Sequence, residues 1–151
     1  MPRWAKLLIG LAAALVAGWL YYGPYGGGAR FIDALQQRAE LRLSLPEVRG
    51  VGVTARMQRE PLARLVTLSG PADPYQRDGM GSYPGINDRM RTIPGMGGIA
   101  WQGEEGDWVL PLLAEILLLA AAAWLIGLGI GWLLFGRRRR QSFLGDEEFE
   151  T

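Results

Sequence analysis

The chain has 151 residues, enough for one small folded domain together with membrane segments. It contains neither Cys nor His, which excludes disulfides and thiolate nucleophiles and removes the commonest zinc and haem ligands and the commonest general base. The formal net charge of +1 provides no overall field to attract nucleic acid. We therefore expect no cofactor, no metal site, no nucleic-acid partner and no enzymatic activity.

The first apolar run predicts an N-terminal transmembrane anchor over residues 1–23. It follows a basic start and is close to the shortest length that spans a bilayer. A basic start and an Ala-rich stretch are also typical of a signal peptide, so cleavage of this segment stays open. The run ends in Leu20, Tyr21 and Tyr22, where a cleavage site requires small residues. These aromatic residues favour an uncleaved anchor with an interfacial belt.

The second apolar run predicts a C-terminal transmembrane helix over residues 109–136. Only Glu115 is ionisable between Val109 and Phe135, and a helix of this length is sufficient to cross a bilayer. An acidic residue within a span is a functional candidate by default. Because Glu115 lies near the start of the run, two interpretations stay open: an acid tolerated at headgroup depth, or a role in proton handling or in pairing with a partner.

Basic residues predict the orientation of both spans. Arg3 and Lys6 precede the first run, and a tetra-Arg segment follows the second. Cationic flanks prefer the cytoplasm. We therefore expect both termini in the cytoplasm of a bacterial cell, residues 24–108 in the periplasm, and a basic-then-acidic cytoplasmic tail over residues 137–151. The orientation signal consists of Arg137, Arg138, Arg139 and Arg140.

Small residues recur on both predicted spans. Such residues allow helix backbones to approach closely in lipid, so they are candidates for packing between the two spans or against another membrane subunit. The alternative is the ordinary tolerance of membrane helices for glycine. The candidates are Gly10, Ala14 and Gly18 on the first span and Gly127 and Gly131 on the second.

The region between the spans is predicted to fold as one module over residues 30–102. A Gly-rich hinge over residues 24–29 precedes it, and an acidic hinge over residues 103–108 follows it. The first helix, predicted over residues 30–43, has a single apolar stripe. The stripe consists of Ile32, Leu35, Ala39 and Leu43.

Two strands joined as a hairpin are expected next, because apolar and polar side chains alternate over residues 51–57 and again over residues 64–70. A helix broken by glycine and proline follows, with Asp73 as its N-cap and a better-formed part over residues 86–93. A last short strand is predicted over residues 97–102. The expected class is α+β, a small αββαβ domain flanked by two transmembrane helices.

Two short motifs resemble those of BON domains. The hairpin ends in V-T-L-S-G, which matches the family's V-x-L-x-G strand end through Val66, Leu68 and Gly70. The turn before the last strand approximates a second family motif through Ile93, Gly95 and Met96. The resemblance covers about half of the chain, and the Gly- and Pro-rich stretch at residues 79–85 departs from the family's regular second helix. It implies a non-catalytic module linked to membranes, phospholipid binding and envelope maintenance.

Arginine is the sole basic residue type of the region between the spans, which holds ten Arg and ten acidic residues. A guanidinium group suits bidentate contact with phosphate or carboxylate, although the balancing acids and a general use of Arg in place of Lys weaken this interpretation. The candidates for contact with lipid or a partner are Arg56, Arg59 and Arg64, with Glu115 on the second span.

Two functions are compatible with these patterns. The first is an inner-membrane protein whose periplasmic, BON-like module binds lipid or envelope proteins through the hairpin arginines and an exposed sheet edge. The alternative is an accessory subunit of a larger inner-membrane complex, such as a respiratory or photosynthetic one. The expected partners are membrane lipid and other membrane or periplasmic proteins, and the sequence leaves homo-oligomerisation open.

Overall fold

The computed structural model describes residues 2–135, a mixed α+β fold in which two long apolar helices flank a small sheet region. The predicted orientation signal at residues 137–140 and the tail lie outside the described residues. The helices are α1 (Arg3–Tyr22), α2 (Gly27–Leu43), α3 (Pro46–Arg49), α4 (Pro74–Asp78), α5 (Ile86–Arg91) and α6 (Leu112–Phe135). The strands are β1 (Thr54–Arg59), β2 (Leu62–Ser69), β3 (Gly79–Met80), β4 (Tyr83–Pro84) and β5 (Gly98–Trp101).

Helices α1 and α6 are long and apolar enough to cross a membrane. The apolar part of α1 has 19 residues with a mean hydropathy of 1.6, and α6 has 24 residues with a mean hydropathy of 2.2. Neither apolar segment is buried inside the protein, so neither is the core helix of a soluble fold. These two helices indicate association with a membrane.

The core of the module, the part of the chain between α1 and α6, lies between α2 and a three-stranded sheet. The predicted apolar stripe of α2 is confirmed, because Ile32, Leu35, Ala39 and Leu43 are all buried. Opposite them, the inward side chains of β1 are Ala55 and Met57, and those of β2 include Val66 and Leu68. The alternating pattern of the sequence therefore identified the buried face of both strands.

Strand β2 is the centre of the sheet, whose order is β1-β2-β5. It pairs with β1 antiparallel, with Met57 opposite Val66, and with β5 parallel, with Val66 opposite Ile99. A parallel pair requires a crossover connection, here the segment that contains α4 and α5. Strand β5 therefore joins the sheet beside β2 through a long connection rather than through a second tight turn.

Both edges of this sheet carry side-chain hydrogen bonds from the module itself. The Gln36 amide accepts from the Met57 N–H at 2.7 Å and donates to the Ala55 carbonyl at 2.8 Å. On the opposite edge, Asp107 accepts from the Ile99 N–H at 3.1 Å and donates its own N–H to the Ile99 carbonyl at 3.0 Å. Because these outward backbone groups are already paired, the prediction of an exposed sheet edge is wrong at these positions.

The connection between β2 and β5 is broken, as the glycines and prolines predict. Asp73 caps α4 as expected: its carboxylate accepts from the Gln76 N–H at 2.8 Å, and the Gln76 side chain accepts from the Asp73 N–H at 3.0 Å. The two-residue strands β3 and β4 then pair between α4 and α5. Gly79 has a φ of 83°, and a Cβ there would lie 2.4 Å from the Tyr83 carbonyl oxygen, so only glycine fits this crossing.

The two segments predicted as hinges are packed against their neighbours. Helix α2 begins at Gly27, inside the predicted Gly-rich hinge, and a Cβ at Gly27 would lie 2.7 Å from the Tyr21 carbonyl oxygen. The acidic segment after β5 is bonded to Ile99 through Asp107, and Pro111 forms a bridge with Ala63 of β2. The glycines therefore allow a close approach between α1 and α2. Because Pro111 pairs with Ala63, α6 starts at Leu112 rather than at the predicted residue 109.

Candidate functional site: the junction of the module and the apolar helices

An ion pair joins the module to α6. Arg64 lies on β2, and Glu115 lies in the first turn of α6. The Arg64 Nε donates to Glu115 Oε2 at 2.7 Å, and Arg64 Nη2 donates to Oε1 at 2.9 Å. Two parallel bonds of this kind form the bidentate geometry that a guanidinium group and a carboxylate prefer. The pair therefore fixes the start of α6 relative to the central strand.

The surroundings of Arg64 fix the position of its side chain and favour its charged form. Its Nη1 donates to the Gly95 carbonyl at 3.2 Å, and the side chains of Arg64 and Glu115 are only 31% and 19% exposed. The hydrogen bonds to the Glu115 carboxylate raise the pKa of Arg64 above its ordinary value, against the lowering effect of partial burial. Arg64 therefore remains positively charged, and the pair as a whole is neutral.

Neighbouring backbone contacts explain why these two side chains meet. The Gly97 N–H donates to the Arg64 carbonyl at 2.8 Å, which fixes the backbone of β2 at this position. The bridge between Ala63 and Pro111 brings the chain entering α6 beside the residue that precedes Arg64. Leu112 is 5% exposed and belongs to the core of the module, so the first turn of α6 is anchored from both sides.

A groove of about 370 Å³ lies at this junction. Apart from the Arg64–Glu115 pair, the side chains that line it are apolar or aromatic, and they come from both apolar helices and from α2. Leu119 and Tyr21 at its rim are 70% and 60% exposed, so the groove opens onto the surface of the two helices. Its lining is Tyr21, Gly27, Gly28, Phe31, Arg64, Leu112, Glu115, Ile116 and Leu119.

Exposed aromatic side chains flank the same junction. Tyr25 follows α1 and is 69% exposed, while Trp108 precedes α6 and is 84% exposed. Tyrosine and tryptophan are enriched where a membrane protein meets the headgroup layer, since their rings are apolar and their tips polar. Tyr25 and Trp108 therefore mark the module ends of the two apolar helices.

The three candidate arginines do not form one surface. Arg64 is engaged with Glu115, whereas the Arg59 Nη2 donates to Asp33 Oδ1 on α2 at 2.7 Å. Arg56 is an exposed residue of β1, opposite Thr67. Arg64 therefore belongs to the junction, Arg59 belongs to an ion pair on the surface, and Arg56 faces solvent.

The predicted small residues divide between the two helices. Gly10 and Gly18 of α1 face α6: a Cβ at Gly10 would lie 3.0 Å from Trp124 Nε1, and one at Gly18 would lie 3.6 Å from the Ala120 Cβ. Ala14, between them on the same face, is half-buried. At Gly127 and Gly131 of α6 an added Cβ would meet nothing within 4 Å. The small residues of α1 therefore pack against α6, and those of α6 remain open.

Sequence patterns did not reveal the pairing of Arg64 with Glu115. The two residues are 51 positions apart, and their meeting depends on the bridge at Pro111. The available signal was the single acid in an otherwise apolar run, which calls for a partner but does not name it. Within residues 2–135 no cluster of three or more acidic side chains is arranged to hold a metal ion.

No family model matches the chain, and no match is found among the curated proteins or the solved structures.

Proposed function

We propose that this chain is a non-enzymatic protein of a bacterial inner membrane that presents a BON-like module on the periplasmic side and acts by binding lipid or envelope proteins. The observation that carries the proposal is the junction, where the bidentate Arg64–Glu115 pair and the buried Leu112 fix the module to α6. A module held in this way would be presented at a constant height and orientation at the membrane surface.

The order of elements also supports a BON-like module. A helix, a hairpin, a broken helical segment and a strand parallel to β2 follow one another. The residues of the V-x-L-x-G motif lie at the end of β2 and just beyond it. Val66 and Leu68 of this motif are fully buried, so the motif forms part of the core. Contact with lipid or a protein would then come from the junction and the surface rather than from these residues.

The proposed topology is tested by enzyme fusions. We expect alkaline phosphatase fused after residue 60 to be active, because the fusion point would lie in the periplasm, and a fusion at residue 151 to be inactive. Green fluorescent protein at residue 151 is the matched control and should fluoresce, since that end is predicted to be cytoplasmic. The reverse pattern, with an inactive fusion after residue 60 and an active one at residue 151, would contradict the proposed orientation.

A second candidate function is that of an accessory subunit in a larger membrane complex. It is favoured by the open surface of α6 at Gly127 and Gly131, where a neighbouring helix could approach the backbone closely. Extraction in a mild detergent followed by native electrophoresis separates the two candidates. Comigration with a large complex supports the subunit, and a small particle supports the independent module.

A further inference from the structure

The groove at the junction has the features of a binding site for one amphiphilic molecule. Its volume of about 370 Å³ falls in the range of small-molecule sites, and its walls are mostly apolar with one polar pair. Leu119 and Tyr21 open it toward the surface that the bilayer would cover in the proposed function. Lipids are the molecules that surround a membrane helix at this depth, so a hydrocarbon chain is the natural occupant.

The polar pair in the groove has no net charge, and some of its hydrogen-bonding groups are not engaged within the protein. A guanidinium group has five N–H donors, and three of those of Arg64 are engaged with Glu115 and Gly95, which leaves two. The Glu115 carboxylate accepts two hydrogen bonds from Arg64 and has further lone pairs. The groove therefore offers a donor site and an acceptor site side by side, without a net charge.

We propose that this groove binds one zwitterionic phospholipid with a primary-amine headgroup, such as phosphatidylethanolamine. An acyl chain lies against Phe31, Ile116 and Leu119, the phosphate accepts from Arg64, and the ammonium group donates to Glu115. An anionic lipid such as phosphatidylglycerol supplies a phosphate for Arg64, but its headgroup offers Glu115 only neutral hydroxyl donors, and its negative charge faces that carboxylate. The inference rests on the proposed membrane function and specifies the lipid that the site selects.

Native mass spectrometry of the full chain tests this selection. The protein is purified in a mild detergent and exposed to equal amounts of phosphatidylethanolamine and phosphatidylglycerol. We expect one retained phosphatidylethanolamine per chain, in about tenfold excess over phosphatidylglycerol, because one charge-assisted hydrogen bond distinguishes the two headgroups. Equal retention of the two lipids would overturn the inference.

Two neighbouring leucines of α6 provide a matched pair of variants. Leu119 lines the groove and Leu118 does not, while both are largely exposed. Leu119→Trp fills the groove while both residues of the ion pair are kept, so we expect it to lose the retained lipid, whereas Leu118→Trp retains it. Equal retention by both variants would overturn the site. Release of a co-purifying membrane protein by Leu119→Trp alone would assign the groove to a partner helix and would also overturn it.

Glu115→Gln tests the headgroup. The change removes the carboxylate and leaves the Arg64 charge unbalanced, so we expect the preference to shift toward phosphatidylglycerol. An unchanged preference in the folded variant would overturn the proposed headgroup contact, and if the variant does not fold, the two leucine variants decide. The fusions described above are made with the same chain: inverted fusions reject the proposed function, whereas correct fusions with unselective lipid binding reject this inference alone.

Discussion

Replacement of Trp101 by alanine is expected to lower the free energy of unfolding of the module by about 4 kcal/mol, a large fraction of the stability of a small domain. The Trp101 side chain is 7% exposed in the core, and its Nε1 donates to Asn87 Oδ1 at 3.0 Å. The Arg77 guanidinium lies 4.1 Å from the centre of its ring. Alanine removes the packing, the hydrogen bond and this cation–π contact together.

Trp101→Phe is the matched control, because phenylalanine keeps most of the buried ring but lacks the indole N–H. We expect it to cost about 1–2 kcal/mol, as a lost hydrogen bond leaves Asn87 without its donor. Hydrogen exchange of the slowest amides of β2, measured on the full chain in detergent, reports both values. An alanine variant no less stable than the phenylalanine variant would contradict the role of Trp101 in the core.

Breaking the Arg64–Glu115 pair has the second large expected effect. Arg64→Met should lower the free energy of unfolding of the module by about 2 kcal/mol, because it leaves the Glu115 carboxyl group without its partner in a site that is mostly shielded from water. The loss should be smaller than for a fully buried pair, since the two side chains remain 31% and 19% exposed. The same hydrogen-exchange measurement provides the value.

Two further variants separate the pair from its surroundings. Glu115→Leu alone should cost about as much as Arg64→Met, while the double variant should recover most of the loss, because it leaves no unpaired charge. Arg59→Met breaks the exposed pair with Asp33 and should cost less than about 1 kcal/mol. If Arg64→Met is as mild as Arg59→Met, the junction pair is not a structural connection.

Local patterns predicted the elements of the module because each depends on residues close in the chain. The stripe from Ile32 to Leu43 follows from the helical period, and the cap at Asp73 needs only Gln76, three residues later. The alternation around Val66 correctly gave the buried face of β2. In these cases sequence spacing and spatial neighbourhood coincide.

The junction could not be predicted in the same way. Gly27 and Gly28 have the composition of a flexible hinge. In the structure a larger side chain would not fit at either position, because the backbone and ring of Tyr21 and the ring of Tyr22 lie against them. Val109 is apolar like the helix that follows, but it packs against Gly97 and Gly98 of the sheet region. Contacts between residues far apart in the chain decide both outcomes, so composition alone misassigns them.

The packing of α1 against α6 brings the two apolar helices together beside the module, and disulfide formation measures it directly. The chain has no cysteine of its own, so introduced pairs give an unambiguous signal. A Cβ at Gly18 would lie 3.6 Å from the Ala120 Cβ, within the range that a disulfide requires. Ile126 is 63% exposed and serves as the control position on α6.

We expect Gly18→Cys with Ala120→Cys to form an intramolecular disulfide under mild oxidation in native membranes, while Gly18→Cys with Ile126→Cys stays reduced. Protection from a maleimide reagent that adds mass gives the readout on a denaturing gel. Efficient disulfide formation in the first pair alone is the result that the packed helices predict. Reduced thiols in both pairs, or equal disulfide formation in both, would contradict the pairing of α1 with α6.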